Sequence, residues 1–308
     1  MTVKKHKIRF FFTFIGATFL IFVFLLRFKG YLFSRAILSH DLSFMYHAIT
    51  RTIISQIPPE KRNIPTELDY INRYINLNVH SFGKVRDDGA SWILIYGEGW
   101  CDSVANIFIQ LITPLDIRGY LIFLKLPNGE SPHSVAYCAL EDLSIKDIEY
   151  LQKKAVVVDP QNGIIYHTAE GDFSSPSQIC DGQARIPKRL SSHRSYYCEK
   201  PRIFVSNQPI STQPNIKRWF YRNVFPRIPK GWIKQSIRVS LALNNRLEDA
   251  ERLYYLARLE QLFLNYSGAT EGYAVVIERY SKTRWGELAS YWRDRLSYPE
   301  NRFPEMNQ

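Results

Sequence analysis

Gly97-Glu98-Gly99-Trp100-Cys101 runs straight into Asp102-Ser103-Val104-Ala105-Asn106-Ile107-Phe108, and the chain is organised around this junction. Two glycines allow a tight turn that few other residues tolerate. Val104, Ile107, Phe108, Leu111 and Ile112 then recur at helical spacing, which predicts a buried helix with Cys101 in or just before its first turn. Unpaired backbone N–H groups and the positive end of the helix dipole favour a thiolate at that position.

A thiolate nucleophile needs an imidazole to pair with it and a carboxylate or amide to orient the imidazole. Downstream, Tyr120–Leu126 reads as a strand closed by Pro127-Asn128-Gly129, and His133–Leu140 as a second strand with alternating faces. Ala155–Val158 is a short buried strand ending at Asp159-Pro160, and Gln161-Asn162-Gly163 turns it into Ile164-Ile165-Tyr166. One helix followed by consecutive strands predicts an α+β fold with an antiparallel sheet. In such a sheet the start of one strand and the end of its neighbour share an edge, so Cys101, His133 and Asp159 are expected to meet there as the catalytic residues. The alternative for Cys101 is a small core hydrophobe. Cys138 falls on the opposite face of its strand and is assigned to the core. No Cys/His spacing suggests zinc, so neither a metal nor a cofactor is expected, and His167 and His193 are read as solvated.

Residues 64–167 also resemble the transglutaminase-like superfamily, papain-related enzymes whose core carries Cys, His and Asp in that order. The resemblance rests on Gly99-Trp100-Cys101 with Ala105, on Asp116-Ile117 before a strand, on His133 with Val135, and on Val158-Asp159-Pro160 with Gly163. It implies a papain/transglutaminase-like core, with Cys101 as nucleophile, His133 as general base and then acid, and Asp159 orienting His133. The implied activity is that of a cysteine protease, amidase or protein-glutamine acyltransferase. Such an enzyme acts on amide bonds of a peptide or protein through an acyl-thioester, as a bacterial-type membrane-anchored member. The alternative is a catalytically inactive, membrane-tethered scaffold of the same fold that binds a partner. No acidic loop like the calcium sites of animal transglutaminases is evident.

The 308 residues carry a net charge of +11, and the basicity is local. Thirteen Lys or Arg lie between Gln183 and Arg238 against the single acid Glu199. Within 217–238 they interleave with Trp219, Phe220, Tyr221, Phe225 and Trp232, read as an interfacial membrane stretch rather than a nucleic-acid patch. A solvated loop over the catalytic domain is the plainer alternative. Phe10–Leu26 is uncharged, holds seven Phe among seventeen residues, and is flanked by Lys4, Lys5, Lys7, Arg9, Arg27 and Lys29. That length suits an uncleaved signal anchor, and the absence of an A-x-A site argues against a cleaved signal peptide. A single-pass protein with its catalytic domain outside the cytoplasm is the resulting expectation. There Cys180 and Cys198 would pair, whereas inside the cytoplasm all four cysteines would stay reduced.

The expected organisation is a basic stub and anchor (1–30), a juxtamembrane amphipathic helix (31–62), a catalytic domain (63–182) and a basic aromatic connector (183–240). A C-terminal helical region (241–308) follows, loosely similar to tetratricopeptide helix pairs and able to dock a protein partner. One or two such pairs are too few to stand alone as a solenoid.

Overall fold

A computed structural model describes residues 44–80, 90–141, 147–244 and 247–303. Helical residues 44–54 (α1) lead to α2 (Ile64–Asn78), α3 (Ala90–Tyr96) and α4 (Cys101–Ile112). Asn63 caps α2 by accepting from the Thr66 N–H, and Pro65 sits in the first turn where its missing N–H costs nothing. In α4, Val104, Ile107, Phe108, Leu111 and Ile112 are all buried, the face that their spacing requires.

Strands β1 (Arg118–Phe123), β2 (Ser134–Ala139), β3 (Val156–Asp159), β4 (Ile164–Ile165) and β5 (Arg202–Ser206) form one antiparallel sheet among the described residues. Its order is β4-β3-β2-β1-β5. Helix α5 (Ile148–Lys154) connects β2 to β3, and α6 (Pro176–Cys180) follows β4. Helix α4 lies on β1 and β2, and Gly119 makes the closeness possible. A Cβ there would stand 2.7 Å from Ile109 Cγ2 and 2.9 Å from Ile112 Cδ1. Buried Asn207, just past β5, ties the same layers together. Its Nδ2 donates to the Ile109 and Ile117 carbonyls at 2.8 and 3.0 Å, while its Oδ1 accepts from the Gly119 N–H at 2.9 Å.

Strand β5 lies in the stretch expected as a basic aromatic connector, where no strand was expected. It is an edge strand whose side chains stay largely in water, Phe204 being 60% exposed, so it carries no buried-face pattern to read. Upstream of it a disulfide joins Cys180 and Cys198, with a 3-10 segment (Lys188–Tyr197) between them that buries Leu190 and Tyr197. Closing a loop of this length restricts the unfolded chain by an amount worth ~3 kcal/mol.

The C-terminal half holds α7 (Asn215–Trp219), α8 (Lys230–Ala242), α9 (Asp249–Leu262), α10 (Tyr266–Tyr280) and α11 (Arg284–Ser297). These helices are not an appended extension. One hydrophobic cluster runs from Met45 and Ile49 through Ile71, Leu94 and Phe108 to Tyr254, Tyr273 and Trp292. A helix with apolar residues on more than one side must bury them, and here the α2–α4 layer supplies the partner surface.

The basic aromatic stretch 217–238 is corrected in the same way. Phe220, Tyr221 and Phe225 turn inward against α1, with His47 stacked on Tyr221 at 4.2 Å and Phe44 on Phe225 at 5.7 Å. Arg51 donates to the Phe225, Pro226 and Ile228 carbonyls. Most of its rings are thus committed to the fold. Among the described residues no helix is long and apolar enough to cross a membrane, and Phe10–Leu26 lies outside them. The expected N-terminal transmembrane helix is therefore no part of the described architecture. Membrane attachment, single-pass topology and an extracytoplasmic domain are withdrawn with it. The fold class shown is α+β with a small antiparallel sheet.

Candidate functional site

His133 immediately precedes β2, and Asp159 is the last residue of β3. Because β2 and β3 are antiparallel with Ala136 opposite Val158, the start of one and the end of the other fall at the same edge. There the His133 Nε2 meets the Asp159 Oδ2 at 2.8 Å. Asp159 has no exposed surface. Its remaining capacity is met by Asn162, whose Nδ2 donates to Oδ2 at 2.9 Å and whose backbone N–H donates to Oδ1 at 3.2 Å. A buried carboxylate held by three donors is oriented as well as paired.

Cys101 begins α4, with Trp100 as the preceding cap residue. The cysteine is half-buried, while Trp100 is 52% exposed and stands at the surface beside it. Burial works against ionisation of the thiol, but hydrogen bonding with His133, the charge of His133 and hydrogen bonding with Ser134 outweigh it. The Cys101 thiol is held below its ordinary value. Burial likewise pushes His133 down, yet its hydrogen bond with Asp159 and its interaction with Cys101 raise it from 6.5 to about 9. With Nε2 committed to Asp159, Nδ1 is the ring nitrogen left for the thiol. Cys138, by contrast, is fully buried on the sheet, and burial alone pushes its thiol up.

The two shifts set a pH dependence of stability. A raised imidazole contributes stability that is full below about 6.5 and lost as pH rises through about 9. A depressed thiol works in the opposite sense, its contribution being lost as pH falls through the folded value. The stability advantage of the native chain over His133→Gln should therefore be largest below about pH 6.5 and decline as pH rises through about 9. Urea denaturation at a series of pH values measures it, and an advantage that keeps growing above pH 9 would contradict the pairing.

The structure adds a residue that sequence reasoning assigned to solvent. His193, on the 3-10 segment between the disulfide cysteines, is half-buried beside His133, with ring centroids 5.5 Å apart, and stacks on Tyr196 at 5.0 Å. Burial and the charge of His133 both lower its pKa. Nothing local flags it, because a fold over the sheet edge brings it there from a segment without period. His133, Asp159 and His193 place one ligand-type atom each within 4.8 Å of one another, and Cys101 is not a member of that group. The expected cluster of Cys101, His133 and Asp159 is corrected accordingly: the close group is His-Asp-His, and the thiol meets His133 from outside it. A borderline cation could use such donors. However, His133 Nε2 and Asp159 Oδ2 are already bonded to each other at 2.8 Å, and that hydrogen bond would have to open first. A cleft of ≈ 290 Å³ lined by Leu140, Tyr150, Lys153, Phe173 and Gln178 includes neither His133 nor Asp159.

The C-terminal helices also reach this region, from below the Cys101 turn. Arg284 Nη2 meets Glu98 Oε2 at 2.8 Å, and Tyr254 donates its hydroxyl to the Tyr96 carbonyl at 2.6 Å. Part of the helical surface expected to dock a protein partner is thus used internally.

No protein-family model, no curated protein and no solved structure matches the chain. Membership of the transglutaminase-like superfamily is therefore unsupported, and the papain/transglutaminase-like label gives way to the plain α+β description. The activities that came with it are withdrawn: cysteine protease, amidase or acyltransferase chemistry on peptide or protein amide bonds, and the membrane-tethered scaffold offered as its alternative.

Proposed function

We propose that Cys101, His133 and Asp159 work as one unit that holds a thiolate beside an imidazolium, ready to attack an electrophilic centre. The observation that carries this reading is the buried His133–Asp159 hydrogen bond at 2.8 Å, set at the sheet edge where α4 presents Cys101. Asp159 fixes the ring and favours its charged form, and the charged ring favours the thiolate. When the sulfur forms its bond to an electrophile, the proton on His133 is available to the group that accepts the displaced electron pair. The α4 N-terminus adds its dipole to the same end. Trp100, next to Cys101 in the chain, is exposed, and half-buried His193 lies against His133.

Site-resolved labelling tests the reading. Native protein treated with iodoacetamide at pH 6 should be alkylated at Cys101 and not at Cys138, and Cys101→Ala should abolish the labelling. A Cys101 that reacts no faster than a free thiol at that pH would overturn the assignment.

A further inference from the structure

Arg258, on α9, is fully buried and reaches under the turn from which Cys101 emerges. Its Nε donates to the Ile95 carbonyl at 3.1 Å, and its Nη2 donates to the Leu94 and Asn78 carbonyls at 3.0 and 2.6 Å. Tyr254, one turn earlier on the same helix, caps the next carbonyl, that of Tyr96, at 2.6 Å. The last carbonyls of a helix have no partner within it, so α9 supplies the C-terminal cap of α3 through side chains. The guanidinium also lies over the Trp292 ring at 4.2 Å. Gly97 follows directly at φ +88°, and a Cβ there would stand 2.9 Å from Trp292 Nε1 and 3.1 Å from Arg258 Cζ. Two backbone hydrogen bonds then hold the turn from the other side: His80 N–H to the Gly97 carbonyl at 2.7 Å, and Gly99 N–H to the His80 carbonyl at 3.0 Å. Only Trp100 separates this clamped turn from Cys101.

We infer that Arg258 is a positioning residue for the thiol, its guanidinium setting where the Gly97–Trp100 turn ends and hence where Cys101 stands relative to His133. This inference rests on the thiolate reading above. Arg258 directs three hydrogen bonds from Nε and Nη2 to carbonyls of two other segments, both adjoining the turn, while its buried Nη1 makes no hydrogen bond. Lysine keeps the charge but lacks the planar fork needed to reach all three carbonyls at once. A displacement of the sulfur by a fraction of an ångström weakens its pairing with His133 and returns the thiol toward ordinary behaviour.

The test compares the rate of Cys101 alkylation by iodoacetamide against pH in the full chain and in Arg258→Lys and Tyr254→Phe. Circular dichroism and thermal melting confirm that each variant is folded. Both variants should react more slowly at pH 6, Arg258→Lys by on the order of tenfold. Their profiles should move to higher pH, with rates converging on the native rate near pH 10. A general loss of stability would not move the midpoint of that profile. If Arg258→Lys does not fold, Tyr254→Phe decides, since it removes one hydroxyl and keeps the ring. Folded variants with the native profile overturn the inference alone. A native profile that already matches an ordinary thiol overturns the thiolate reading, and the inference with it.

Discussion

His133→Ala should slow alkylation of Cys101 at pH 6 by at least about tenfold, because each unit of thiol pKa is a tenfold change in thiolate fraction below the pKa. The removed ring supplies both the leading hydrogen bond and the charge that favour the thiolate, whereas burial of Cys101, the opposing cause, remains. The variant should therefore overshoot toward a less reactive thiol rather than settle at an ordinary one. Asp159→Asn should act in the same direction through the ring, since it removes the charged partner of His133 at 2.8 Å while leaving an amide in place. The gap between native and variant rates should narrow as pH rises through 10, as the variant thiol ionises in its turn. Rates that stay apart by the same factor across the whole range would show that His133 governs access to Cys101 and not its ionisation.

Trp292→Ala should destabilise the chain by about 3–5 kcal/mol, the range for deleting a large buried aromatic side chain. Trp292 is 1% exposed on α11, and three neighbours depend on it. It stacks under the Arg258 guanidinium at 4.2 Å, meets Tyr291 edge-on at 5.1 Å, and forms the wall against which Gly97 turns. Removing the indole leaves the buried guanidinium without its aromatic face, which adds to the cavity term. Chemical denaturation followed by tyrosine and tryptophan fluorescence measures the loss. A change under about 1 kcal/mol would mean that the site collapses around the missing ring and that α11 is not a required wall of the turn.

These expectations also mark the boundary between what was legible in the sequence and what was not. Helix α4 and its buried face follow from the 3.6-residue spacing of Val104, Ile107, Phe108, Leu111 and Ile112, a purely local pattern. Strands β1 to β3 and the turn at Gln161-Asn162-Gly163 announce themselves by apolar runs and turn residues, and antiparallel order alone brings His133 and Asp159 to one edge. Edge strand β5 was not legible, because a strand that buries little needs no apolar face.

The contributions that tertiary structure alone decided come from far along the chain. His193 reaches His133 across 60 positions from a segment with no period of its own, closed into a loop by the Cys180–Cys198 disulfide. Arg258 reaches Leu94 and Ile95 across more than 160 positions, and in sequence it is one more basic residue of the C-terminal helical region. The resemblance to the transglutaminase-like superfamily and the anchor at Phe10–Leu26 were also read locally, from short motifs and composition. Short motifs around a Cys and a His recur in unrelated chains, so they carried no family here. The sequence determined which elements form, because periodicity and turn chemistry act between near neighbours. Which side chains surround the thiol was decided by packing, because a buried guanidinium or imidazole finds its partners only when distant layers close on it.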